Sequence, residues 1–168
     1  WAPDFTFGYG YPFFNIYAPL ASYAGEALHL LGLSFTDAVK AVFGLSLVLS
    51  GVGMYLFLRR LFGRPAALLG AVTYVYLPYR LFDIYVRAAL AESVAFVFIP
   101  LVLWGFHEAA TRPRLPAILG AGLAYAGLMF SSNLIALMFT PVLAVYVLIV
   151  LLARLRAEQP LRNLSRES

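Results

Sequence analysis

Residues 134–153 read LIALMFTPVLAVYVLIVLLA, twenty positions without a charge. At ~1.5 Å per residue, a helix of that length crosses a hydrocarbon core of about 30 Å. A soluble fold cannot easily hide such a run, and the rest of the chain offers little surface to help. Of 168 residues, 62% are hydrophobic and 12% are charged, and the mean hydropathy is +0.84. Soluble domains are about half apolar and one quarter charged. The chain therefore reads as an all-α, polytopic transmembrane helical bundle.

Five segments form the expected spans: 36–58, 65–78, 88–109, 116–130 and 134–153. Ser34 is placed to cap the first, and Arg59 and Arg60 stop it. Pro65 and Pro116 stand at helix-start positions, and Pro141 marks an expected kink in the fifth. The spans 65–78 and 116–130 are short and need tilt or protein neighbours. Residues 1–19, rich in aromatics and proline, read as an outer loop at the membrane interface. Residues 20–31 are too short to cross and read as an interfacial helix. The membrane domain is thus 1–153, and 154–168 reads as a polar cytoplasmic loop or tail. Trp1 in place of methionine suggests a piece of a longer protein.

If the spans alternate, one side collects Arg59, Arg60, Arg64, Arg112, Arg114, Arg154, Arg156, Arg162 and Arg166 against three glutamates, a net +6. The other side has net −2. This is the positive-inside pattern, so the overall +4 reports topology and not a nucleic-acid partner. The arginine-rich loops are then cytoplasmic. There is no cysteine, and no zinc motif, Gly-rich phosphate loop or nucleophile elbow appears.

The outer side receives the stretch YRLFDIYVRAALAE, residues 79–92. Arg80, Asp83 and Arg87 recur at i, i+3 and i+7, one stripe of a continuous helix, with Tyr76 a turn before. Asp83 can pair with Arg80 or Arg87. Glu92 falls about 140° from Arg87 on such a helix and is free to favour the start of the next span. Ionisable groups near a membrane are costly unless paired. Two readings stand side by side: a structural ion-pair network, or arginines that bind an anionic headgroup such as phosphate. Tyr9, Tyr11 and Tyr17 could stack on a sugar or anchor the first loop. Asn133 could cap the helix after it or bind a headgroup. Glu26 and His29, at i and i+3, are a possible acid/base pair or a polar interfacial face. Gly51, Gly53, Ser46 and Ser50, and likewise Gly120, Gly122 and Gly127, read as small-residue faces for close packing.

The stretches GYGYPFFNIYAPL, LGLSFTDAVK, SGVGMYLFLRRLFGRPAALLGAVTYVYLPYR and DIYVRAALAE resemble the bacterial integral membrane family labelled 6-pyruvoyl-tetrahydropterin synthase-related, grouped with the GT-C glycosyltransferases. The resemblance runs from about Trp1 to Leu152. It implies a GT-C-like fold in a bacterial plasma membrane, taking a polyprenyl-phosphate-linked sugar on the outer face. It implies catalytic roles for Asp83 and Arg87. It also implies substrate contacts from Arg80, Glu92, Tyr9, Tyr11, Tyr17 and Asn133, with Pro12 in the same aromatic motif. An acidic base, and any divalent cation, would come mainly from residues before Trp1; Asp4 is the carboxylate left in the loop. Ser132 stands where the resemblance expects a histidine. Arg87 with Arg80 would stabilise a leaving phosphate, with Asp83 orienting them. A transporter or flippase of lipid-linked or anionic solutes, and a non-catalytic structural protein, are the competing functions.

Overall fold

The computed structural model describes residues 7–10 and 18–164, with side chains as far as residue 157. Among the described residues seven helices follow one another: α1 Leu20–Leu30, α2 Phe35–Phe62, α3 Arg64–Val75, α4 Pro78–Tyr85, α5 Leu90–Thr111, α6 Leu115–Ser131 and α7 Asn133–Leu164. The architecture is an all-α membrane helical bundle. Among the described residues, three helices are long and apolar enough to cross a membrane: Phe35–Phe62, Leu90–Thr111 and Asn133–Ala157. α6 is apolar but shorter.

Local chemistry sets the boundaries. The Ser34 hydroxyl accepts the Asp37 backbone N–H at 3.2 Å and donates to the Asp37 carboxylate at 2.7 Å, so one of the orphan N–H groups of the α2 start is satisfied and the capping side chain is held in place. α2 ends at Gly63, whose φ of +82° suits glycine, and Pro65 opens α3 within its first turn. α3 stops at Val75, inside the stretch 65–78. Pro78 lacks an N–H and holds Leu77 in an extended conformation, so the chain restarts as α4. α7 stays helical to Leu164, beyond the start of the polar segment at 154.

α5 is the central element, packed against α1, α2, α4, α6 and α7. Ala95, Val102, Leu128, Ala136 and Leu143 form the main core, ringed by Phe98, Phe106 and Tyr125. Small residues govern the closest approaches. A Cβ on Gly105 would lie 2.7 Å from the Ala121 backbone, so α5 and α6 meet there main chain to main chain. Gly127 accommodates the Phe98 ring, Gly51 sits under Val75 and Gly53 under Pro100. Gly120 and Gly122 instead face open space. Large apolar side chains such as Leu49, Val52, Leu123, Val142 and Ile149 point outward, which is what a lipid solvent permits.

Candidate functional site

α4 ends at Tyr85, and the chain turns sharply before α5. The N–H groups of Val86 and Arg87 both return to the Phe82 carbonyl, at 2.9 and 3.1 Å. Ala88 takes a φ of +51°, a conformation uncommon without glycine. The Ala89 N–H then reaches back to the Asp83 carbonyl at 3.1 Å. The continuous helix implied by the i, i+3, i+7 spacing is therefore broken after Tyr85. Arg87 lies beyond the last turn, and the break folds Glu92 back onto it.

The result is one guanidinium held by two carboxylates. Arg87 Nη1 donates to Asp83 Oδ1 at 2.9 Å and to Glu92 Oε2 at 3.1 Å, while Nη2 donates to Glu92 Oε1 at 2.9 Å. Tyr79 completes the ring, donating to Glu92 Oε2 at 2.9 Å and accepting from Arg87 at 3.2 Å. Glu92 does not merely favour the start of α5; it forks onto Arg87. Asp83 is wholly buried while the Arg87 side chain is 43% exposed. Burial, with the nearby Glu92 charge, pushes the Asp83 carboxyl up to about 6, against the pull of Arg87. The hydrogen bond to Glu92 makes Arg87 hold its proton more firmly.

Arg80 has a different environment. It is fully buried, and it makes no ion pair with Asp83 despite the i, i+3 spacing; Arg87 is the partner. Its guanidinium lies 5.0 Å from the Phe96 ring centre and 5.6 Å from that of Tyr74. Nη2 donates to the Ser46 carbonyl at 3.1 Å. Among the described residues, Nε and Nη1 of Arg80 and Oδ2 of Asp83 have no hydrogen-bond partner. The Ser46 and Ser93 hydroxyls pair beneath it, joining α2 to α5, and Tyr74 donates to the Phe96 carbonyl at 2.8 Å. Burial weakens Arg80's hold on its proton, with Tyr74 and Asp83 opposing that trend, yet an arginine keeps its charge.

The cluster is sunken. Ser46 precedes Arg60 by fourteen positions on α2, roughly 21 Å of helix. Arg60 marks the opposite end of the bundle, where it pairs with Glu108 and where Arg154 donates to the Ala110 carbonyl. The arginine-rich end and the Arg80–Ser46 contact are thus separated by most of a bilayer core.

Among the described residues, the other sequence candidates make no hydrogen bond or ion pair with this cluster. Tyr9 is exposed; Tyr11, Pro12 and Tyr17 fall outside the described residues. Asn133 is exposed at the start of α7, and the cap is Ser132, whose hydroxyl accepts the Ile135 N–H at 3.3 Å. His29 is engaged by the Leu33 carbonyl at 2.8 Å and stacked on Phe35, not paired with Glu26. Among the described residues, no group of three acidic or histidine side chains is placed to hold a metal. Sequence reasoning missed Tyr79, Tyr74, Phe96 and Ser93. Ser46 and Ser93 are 47 residues apart, and nothing local signals their meeting.

Comparison with known proteins places this chain in a family. The sequence model described as dolichyl-phosphate-mannose-protein mannosyltransferase matches residues 17–164. An uncharacterized protein of Lactococcus lactis subsp. cremoris (strain MG1363) is 22% identical, covering 90% of this chain and 26% of its own length. The chain thus spans about a quarter of that relative. No solved structure matches. The family match corrects the resemblance to the pterin-synthase-related proteins, because the model that covers the chain is the mannosyltransferase one. A multi-pass helical bundle of the GT-C type, this chain belongs to the dolichyl-phosphate-mannose-protein mannosyltransferase family.

Proposed function

We propose that this chain is part of a bacterial plasma-membrane glycosyltransferase that takes a sugar from a polyprenyl-phosphate-linked donor on the outer face. The observation that carries the reading is the family match over residues 17–164. The sunken ion cluster at the end opposite the arginine-rich loops supports it, because a lipid phosphate arriving from the outer leaflet would meet cations there.

In this reading the acceptor hydroxyl attacks the anomeric carbon with inversion, and the polyprenyl phosphate leaves. Arg87 stabilises the negative charge that grows on that phosphate. Its exposed face admits the phosphate, which displaces Glu92 as a partner, while buried Asp83 keeps the guanidinium oriented. Arg80 supplies a second positive charge from behind. Tyr9 is assigned to the sugar and Asn133 to the headgroup; Tyr11 and Tyr17, assigned to the sugar with Tyr9, lie outside the described residues. The general base, and any divalent cation, comes from parts of the protein outside these residues.

A specific observation favours a second reading. Both terminal nitrogens of Arg87 are already engaged by carboxylates, as in a structural network. The two readings separate in one experiment. The full-length protein in lipid is assayed for turnover of polyprenyl-phosphate sugars, as wild type and Arg87→Ala. A fall of at least about tenfold, ~1.4 kcal/mol in the barrier, with the fold intact supports the leaving-phosphate role. Equal turnover assigns Arg87 to structure, and no turnover over a broad donor panel removes the glycosyltransferase reading.

A further inference from the structure

The arginine-rich end of the bundle carries a groove of about 750 Å³ between α5 and α6. Its walls are mostly apolar, and it opens where Gly120 leaves space beside the Gly105–Ala121 contact. Arg60, Arg112 and Arg114 stand at its rim with one carboxylate, Glu108, which is taken by Arg60. Arg112 and Arg114 make no ion pair among the described residues. Two turns before Arg112, the Trp104 ring faces the Arg60 guanidinium, 5.5 Å from its centre. Its indole N–H is buried and has no acceptor among the described residues.

These features belong together. An apolar trough bounded by uncompensated arginines complements a molecule with acyl chains and an anionic head. A buried indole N–H two turns before Arg112, roughly 12 Å along the helix axis and within the span of an arginine side chain plus a head group, calls for an acceptor at the depth of a glycerol ester. Arginine pairs with phosphate in bidentate geometry, and basic pockets between spans suit anionic head groups. We propose that the α5–α6 groove binds an anionic phospholipid of the inner leaflet. Arg112 and Arg114 hold its phosphate, the Trp104 N–H bonds an ester carbonyl, and the chains lie along the groove. This lipid is distinct from the donor at the other end and does not depend on glycosyl transfer.

The test uses the full-length protein in phosphatidylcholine vesicles containing a minor fraction of acyl-brominated lipid. Bromine quenches nearby tryptophan, and the Trp104 signal is the difference between wild type and Trp104→Phe. Brominated phosphatidylglycerol should quench that signal at least about twofold more than brominated phosphatidylcholine. The preference should vanish in the Arg112→Gln/Arg114→Gln double variant and largely survive in the corresponding double lysine variant. Equal quenching by the two lipids overturns the proposal, as does a preference that persists in the glutamine variant. Absence of quenching by either lipid would mean that another part of the protein fills the groove. Loss of the preference on adding glycerol 3-phosphate would assign the site to a soluble phosphate. Either result also overturns it.

Discussion

Arg80 and Asp83 lie three residues apart on one short helix, both wholly buried, and make no ion pair with each other. Each is compensated from elsewhere: Arg80 by two aromatic rings and the Ser46 carbonyl, Asp83 by Arg87. The two arginines of the cluster therefore answer differently to substitution.

Arg80→Ala removes a buried side chain that fills space between α2 and α5. The expected loss is about 2–4 kcal/mol of stability, seen as a lower unfolding temperature in detergent. Arg80→Met keeps the volume without the buried charge and should remain within about 1 kcal/mol of wild type. If that variant folds normally but loses turnover of a lipid-linked sugar, the charge of Arg80 serves function, not packing.

Removing Arg87 leaves the buried Asp83 carboxylate without its partner. Arg87→Ala should lower the unfolding temperature. Arg87→Ala combined with Asp83→Asn should lower it less, because the double variant no longer strands a charge. Equal destabilisation in both would show that the pair is not coupled.

Asp83 also predicts a pH dependence. Its folded-state value of about 6 lies above that of a free aspartate, ~4, so the folded protein binds this proton more tightly than the unfolded chain. The contribution of this group to stability is therefore greatest at acid pH. It declines as pH rises from about 4 to about 6 and is level above, a change of about 2–3 kcal/mol. Thermal unfolding of wild type minus Asp83→Asn across that window isolates it. An opposite slope would mean that Arg87 outweighs burial.

Gly105→Ala places a methyl against the Ala121 backbone, which cannot move aside as a side chain can. A loss of about 1–3 kcal/mol is expected. Gly120→Ala meets open space and should be close to neutral, or slightly stabilising through helix propensity.

At the start of α7, Ser132→Ala should cost about 1 kcal/mol, because Ser132 provides the cap. Asn133→Ala should leave stability nearly unchanged. A loss of turnover in Asn133→Ala alone would support its proposed contact with the headgroup.

The membrane class was legible because it depends on sums along the chain: twenty uncharged positions need no tertiary partner to demand a bilayer. The Ser34 cap and the Pro65 and Pro116 starts were legible for the same reason, being local. The small-residue reading was right for Gly51, Gly53 and Gly127. It missed Gly105, because which glycine meets a backbone depends on how α6 crosses α5. The cap at α7 went to Ser132 and not Asn133, a shift of one residue set by where the turn begins.

The sequence alone determined that ionisable residues would gather between Tyr79 and Glu92, at the end away from the arginine-rich loops. Only the tertiary structure decided how they are joined. The turn at Ala88 broke the expected helical stripe and brought Glu92 onto Arg87, while α2 and α5 supplied Ser46 and Phe96 to Arg80. Apolar length is additive along the chain and can be read one residue at a time. A buried charge is satisfied by whatever packing places beside it, and those partners come from segments far apart in sequence.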